Sequence, residues 1–300
     1  MQKYTAKKKK KKSDNENLAG YIFILPYVLM FIVFTGIPFV VSIILSFVNV
    51  KFINNLENVR FVGFDNYVRM FQDADTMEAL FNTVKYSLIY VPLIMVLGFM
   101  LAVILNKGVF MKNSLRSMIF LPYVSNMVAV AVIFKLLLGA KGILGQFLMN
   151  MGLERPPLLD MGWALPTVAI IAVWKGVGLN MITYLAALQE VPGELLEAAE
   201  MDGANRWHKI KNVILPYVSP TSFFLLISSI ITSLQNFTII QSLTEGKPGR
   251  STVVMSLNIV RSAFTKYETS YASAQAMLMF AIVMIITLIQ WRGQKKWVNY

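Results

Sequence analysis

The residues of this chain best placed to do chemistry are polar side chains set into long apolar stretches. Asn180 and Tyr184 stand four apart, which puts them on one helical face. Thr232, Gln235 and Asn236 make a similar face further on, and Ser125 with Asn126 interrupts a third apolar run. Amides, hydroxyls and an aromatic ring are what a sugar needs: neutral donors and acceptors around a flat stacking surface. The competing role for the same residues is helix–helix adhesion, since polar side chains in membrane bundles hydrogen-bond between helices. Lys175 is open to three uses: reaching an aqueous interface, pairing across a subunit boundary, or meeting an anionic substrate. Catalysis has little to draw on. The chain has 1 His and 0 Cys, which closes HExxH zinc sites and histidine-based triads. It also contains no GxxxxGK[ST] phosphate loop, so it carries no Walker nucleotide site of its own.

The elements that hold these side chains follow from hydropathy. Of the 300 residues, 56% are hydrophobic and only 15% charged, against roughly a quarter charged in an ordinary soluble domain. Residues 18–50, 86–106, 212–244 and 269–291 carry no charge at all, and about 20 apolar residues suffice for a helix to cross a bilayer. A soluble enzyme, a disulfide scaffold and a disordered regulator are excluded. Runs such as LIYVPLIMVLGFMLAVIL are continuous and do not alternate, which excludes a β-barrel. The expected fold is therefore an all-α polytopic membrane protein with six spans, at 18–48, 80–105, 117–138, 164–188, 217–243 and 271–291. No Asp or Glu lies inside a span, which weakens a proton-coupled carrier.

Six spans put both termini on one side. With the termini in the cytoplasm, the inner segments hold 16 Lys and Arg, the outer loops 9 and the spans 3. The N-terminal tail, residues 1–17, contributes 7 of those 16 and decides the orientation. Its Lys7–Lys12 run directly precedes a span, so it reads as an anchor to anionic lipid and not as a nucleic-acid site. The organisation is a cytoplasmic tail (1–17), a first span (18–48), an outer loop (49–79), a five-helix core (80–291) and a short inner tail (292–300). No secretory signal peptide is expected, because the first apolar run is too long and no small-x-small cleavage site follows it.

The inner loop at 189–216 is the most patterned segment. Pro192 is suited to start a helix, and Glu194 and Glu197 favour its positive end. Asp202-Gly203 ends that helix, with Gly available for the left-handed conformation. Asn205 is a candidate N-cap for a second helix, whose apolar stripe is Trp207, Ile210, Val213 and Ile214 until Pro216 stops it. Two short amphipathic helices with a glycine elbow result, which by themselves would also suit a hairpin lying on lipid.

The order Glu197-Ala198-Ala199, Asp202-Gly203-Ala204, Leu215-Pro216 and Pro220 resembles the EAA loop of ATP-binding-cassette importer permeases. The resemblance extends over nearly the whole chain: Phe61, Gly63, Asn66 and Tyr67 in the first outer loop, Asn82-Thr83 opening span two, and Arg116 with Leu121-Pro122 in span three. It continues through Thr244, Gly246, Pro248 and Thr252 after span five, Ala263-Phe264, and Tyr271-Ala272-Ser273-Ala274. Departures fall at Leu115, Ile210, Lys247 and Ser270, and none of them removes a polar functional group.

The resemblance implies a type I importer permease fold and a subunit of the carbohydrate-uptake branch, similar to maltose-type and glycerol-phosphate-type permeases. It implies no enzymatic activity in this chain and no cofactor, with ATP-Mg held by a partner ATPase. The partners implied are a second permease subunit in a heterodimer, an ATPase dimer, an extracellular solute-binding protein and the lipid of a prokaryotic cell membrane. ATPase coupling would fall to Glu197, Ala198, Ala199, Asp202, Gly203, Ala204, Trp207, Ile210, Leu215 and Pro216. The alternatives are a permease for a phosphorylated polyol or other solute and, from a different class, a secondary carrier or membrane-embedded enzyme.

Overall fold

The computed structural model of the chain describes residues 20–50, 59–106 and 110–297. The expected polybasic tail, including Lys7–Lys12, lies outside the described residues, as do the first residues of span one and the last three of the inner tail.

Four helices are long and apolar enough to cross a membrane alone, and up to six spans result if each of two bent pairs, Lys112–Val124 with Met127–Leu138 and Arg206–Tyr217 with Ser219–Leu234, counts as one. In chain order the described helices are α1 (Gly20–Ser46), α2 (Asp65–Gln72), α3 (Ala74–Asn106), α4 (Lys112–Val124), α5 (Met127–Leu138), α6 (Ile143–Asn150) and α7 (Ala164–Gln189). They continue with α8 (Gly193–Met201), α9 (Arg206–Tyr217), α10 (Ser219–Leu234), α11 (Thr238–Leu243), α12 (Met255–Phe264) and α13 (Thr269–Trp297). The one departure from an all-helical chain among the described residues is an antiparallel pair, β1 (Val48–Asn49) on β2 (Arg60–Phe61), with Val48 opposite Phe61.

Helix α1 is almost wholly exposed along its apolar length and touches the rest of the chain chiefly through α13, where the Phe39 and Phe280 rings meet edge to face at 5.1 Å. Its π turn, Ile32–Gly36, stands just ahead of Pro38. Proline has no N–H and its ring crowds the carbonyl four residues back. Widening the preceding turn, so that the Ile37 N–H donates to the Ile32 carbonyl, relieves both. The same arrangement recurs at Ile210–Ile214 ahead of Pro216.

The core forms where α3 and α7 pack along each other. Two glycines let the backbones approach: a Cβ on Gly98 would lie 2.7 Å from the Asn180 Cβ, and one on Gly178 would lie 2.6 Å from the Ile119 carbonyl oxygen of α4. Small residues at such crossings are how membrane helices gain dispersion contact where hydrocarbon offers no hydrophobic drive. Tyr86 and Tyr90 stack at 5.7 Å inside this core beside buried Val168, Ile239 and Ile240.

The structure differs from the expected spans at three places. Span three is two helices: α4 and α5 are bent by 96° at Ser125-Asn126. Both residues are extended there, and Asn126 Oδ1 accepts from the Val128 and Ala129 N–H groups at 2.8 and 3.2 Å to start α5. Span five is also interrupted: α10 ends at Leu234, and α11 begins at Thr238 after the Gln235–Phe237 break. Span two begins earlier than residue 80: α3 already starts at Ala74, where Asp73 caps the helix by accepting from the Asp75 N–H at 3.1 Å, and α2 occupies part of the segment expected as the first outer loop, 49–79.

Candidate functional site

The loop expected to couple to an ATPase is a hairpin of α8 and α9. Helix α8 ends in a closed turn: the Gly203 N–H donates to the Glu200 carbonyl at 3.0 Å and the Ala204 N–H to the Ala199 carbonyl at 2.9 Å. This is the Schellman pattern, which requires a left-handed residue at its turn, and Gly203 supplies it with φ +77°. A Cβ there would meet nothing within 4 Å, so the position demands glycine for its backbone angle and not for space. Asn205 caps α9 by accepting from the His208 N–H at 2.9 Å, as its position in the sequence indicates.

Two further contacts hold the hairpin and are not visible as local motifs. Lys209 Nζ meets Glu200 Oε2 at 2.9 Å across the two helices, and its hydrogen bond holds the exposed Glu200 carboxyl below the usual carboxylate value. At the base, Tyr217 Oη donates to the Glu190 carbonyl at 2.9 Å. A cavity of about 660 Å³ opens beside this base, lined by Ala187, Glu190, Leu195, Asn212, Val213, Pro216 and Tyr217, with Pro220 and Thr221. The tip is left bare: Glu197, Ala198, Asp202 and Gly203 are exposed, Ala199 and Ala204 half-buried, and Leu195, Met201 and Trp207 show apolar side chains to solvent. Ile210 and Pro216 are half-buried and Leu215 is exposed. The hairpin thus presents an acidic first helix, small residues at the turn, and a basic second helix carrying Arg206, His208, Lys209 and Lys211.

The second group of candidates lies within the spans. Asn180 and Tyr184 are buried against α3, where Asn180 Nδ2 approaches Met95 Sδ at 4.0 Å and the Tyr184 ring meets Phe99 edge to face at 5.4 Å. Gln235 and Thr232 are exposed. Asn236, at the break in span five, donates from Nδ2 to Tyr86 Oη at 2.6 Å and accepts on its carbonyl from Ser256 Oγ at 3.0 Å. The structure therefore places Asn180 and Tyr184 at a helix crossing, and Gln235 and Asn236 at an interruption of a span. No hydrogen bond joins the two sets among the described residues.

Lys175 makes a contact that the sequence did not indicate. Its Nζ donates at 2.9 Å to the carbonyl of Tyr123, one of the carbonyls freed where α4 stops at the span-three break. Cations at helix C-termini satisfy such carbonyls and oppose their partial negative charge. The half-buried Ser125, at the same break, donates back to the Leu121 carbonyl at 2.9 Å.

At the opposite end of the bundle the paired motif residues of the sequence act as anchors. Asn82 Nδ2 donates to the carbonyls of Arg250 and Val253, both at 3.1 Å, and the Met255 N–H donates to Thr83 Oγ1 at 2.8 Å, so span two fixes the loop before α12. Asn66 Nδ2 donates to the Ser46 carbonyl at 2.9 Å and Tyr67 Oη to Ser46 Oγ at 2.8 Å, which closes the end of α1. Asp73 accepts from Thr76 Oγ1 and Tyr271 Oη, each at 2.7 Å. Burial would raise its carboxyl, but these hydrogen bonds, the Asp75 N–H and Lys266 outweigh it and hold it below the ordinary value.

Residues 94–293 match the family described as binding-protein-dependent transport system inner membrane component. The chain belongs to this family. Curated relatives of the family cover nearly its whole length. A Bacillus subtilis protein named "Probable ABC transporter permease protein YesP" is 35% identical over 98% of this chain and 96% of its own. The lactose transport system permease protein LacF of Rhizobium radiobacter is 32% identical over 92% and 94%, respectively. The sn-glycerol-3-phosphate transport system permease protein UgpA of Pectobacterium atrosepticum is 29% identical over 93% and 95%. Among solved structures, a chain of a bacterial ABC transporter involved in import of the acidic polysaccharide alginate superimposes with a TM-score of 0.81 at 25% identity, over 96% of this chain and 99% of that one. The importer-permease fold read from the sequence therefore holds, and the chain is a multi-pass transport subunit and not an enzyme.

Proposed function

We propose that this chain is one of two permease subunits of an ATP-driven importer for a sugar or oligosaccharide, coupled through the α8–α9 hairpin to a separate ATPase dimer. The observation that carries the coupling role is the hairpin itself, a turn shaped by one obligatory glycine, with Glu197, Ala198, Asp202 and Gly203 bare, braced from below by Tyr217 and Lys209. Glu197, Ala198, Ala199, Asp202, Gly203 and Ala204 form the contact, together with Trp207, Ile210, Leu215 and Pro216. ATP-Mg is bound by the ATPase. The hairpin faces the cytoplasm with both termini, and a solute-binding protein docks on the opposite face.

A sugar fits the neutral amides and hydroxyls of the interrupted spans, Ser125, Asn126, Thr232, Gln235 and Asn236, together with Asn180 and Tyr184. That LacF is a lactose permease supports the same class. The relation to UgpA supports a phosphorylated polyol as the second reading, but Lys175 already serves the Tyr123 carbonyl and offers an anion less than a free cation would.

The loops at 139–163 and 243–271 meet the binding protein in this reading. The chain has 0 Cys, so a single engineered Cys at exposed Gln146 or Lys247 is the only thiol this subunit presents. Benzophenone-maleimide attached to that Cys should photo-cross-link both variants to the binding protein in a transporting complex. Absence of any product from both loops would place the docking surface elsewhere.

A further inference from the structure

Helix α9 is bent by 71° from α10, the helix that follows it. It carries basic and apolar residues together: Arg206 shares a face with Ile210 and Lys211 with Trp207, each pair four residues apart. Between α9 and α3 lies a groove of about 530 Å³, walled by Val96, Phe99, Met100 and Val103 on one side and Trp207 and Ile210 on the other, and reached also by Tyr184. Val96, Met100 and Ile104 follow one another at four-residue spacing and are each more than half exposed, which is the side a span turns to hydrocarbon. A second recess of about 350 Å³ shares Val103 and Ile210 with this groove and adds Glu200, Arg206 and Lys209. An apolar trough therefore opens at one end onto basic side chains. Lys209 is paired there with Glu200 at 2.9 Å, whereas Arg206 has no ion-pair partner among the described residues.

From this geometry we propose that the groove is a binding site for one anionic phospholipid of the inner leaflet, with an acyl chain along Val96, Met100 and Trp207 and the headgroup phosphate on Arg206. The side of the membrane rests on the proposed cytoplasmic position of the hairpin. Charge complementarity with an anionic leaflet, an exposed Trp next to the basic residues and a wall of exposed apolar side chains on a membrane-spanning helix select lipid as the occupant. Bound there, the lipid would brace the coupling helix against span two.

The test is native mass spectrometry of the importer, extracted with its partner subunits in mild detergent and titrated with phosphatidylglycerol or phosphatidylcholine. Phosphatidylglycerol should stay bound to this subunit in preference to phosphatidylcholine. Met100→Trp, which fills the trough, should remove the bound lipid. Arg206→Gln, at an exposed position, should weaken phosphatidylglycerol binding about fivefold, the effect of one basic side chain at an anionic surface, with phosphatidylcholine unaffected; this variant decides the matter if Met100→Trp does not assemble. Equal retention of the two lipids, or undiminished phosphatidylglycerol in Arg206→Gln, overturns the proposal. So does a cross-link from Met100→Cys to the partner permease in lipid-free complexes, which would mean that protein fills the groove. The same spectra show whether ATPase subunits co-purify. Their absence would sink the proposed function, while lipid bound to the chain would still establish the groove.

Discussion

Gly203→Val should reduce uptake at least tenfold while the chain still inserts and accumulates in the membrane. At φ +77° a β-branched side chain is a steric outlier, and a left-handed residue costs about 1–2 kcal/mol, enough to depopulate the turn by about tenfold. Because an added Cβ meets no neighbouring atom, the penalty stays in the hairpin and does not reach the bundle. The bonds lost are the two that close α8, from Gly203 to Glu200 and from Ala204 to Ala199. Gly203→Asn, which tolerates the same backbone, should keep most activity. Uptake and binding-protein-stimulated ATP hydrolysis, measured beside the membrane content of the chain, check this. Normal transport and normal stimulation in the Val variant would remove the hairpin from the coupling mechanism.

Gly178→Val should act at the opposite level and prevent the subunit from accumulating. Its Cβ would stand 2.6 Å from the Ile119 carbonyl oxygen and 2.8 Å from the Phe120 Cα, both backbone atoms of α4 that cannot rotate away. Overpacking where neighbours yield costs about 1–3 kcal/mol; here α4 must separate from α7, and the Lys175 hydrogen bond to Tyr123 at the same crossing goes with it. Gly193→Ala, where nothing lies within 4 Å, is the control and should be silent. Membrane immunoblots and thermal inactivation of the assembled complex give the readout. A Gly178→Val subunit that accumulates and assembles normally would show that the α4–α7 contact is not required.

Much of this architecture is readable from local patterns. Charge-free runs mark the spans because hydrocarbon excludes charge, and the hairpin announces itself through Pro192, Gly203 and Asn205, each acting on its own backbone. The breaks at Ser125-Asn126 and Gln235–Phe237 are harder to read, since two polar residues hardly alter the mean hydropathy of a segment; at the first, Asn126 supplies the cap that starts the next helix, whereas the second has no side-chain cap. Partners remote in sequence were not legible at all. Asn82 reaches carbonyls 168 and 171 residues away, and Lys175 a carbonyl 52 residues away. The Glu200–Lys209 brace escapes notice for a different reason: it spans a turn, outside the four-residue spacing that flags ion pairs along one helix.

The most direct test of the central claim is uptake by vesicles reconstituted with this chain, its partner permease and the ATPase, with ATP inside and the solute-binding protein outside. The account predicts accumulation of labelled sugar only when ATP, the ATPase and the binding protein are all present, and its loss on Gly203→Val. Uptake that proceeds without ATP and collapses with an imposed ion gradient would contradict it and make the chain a secondary carrier.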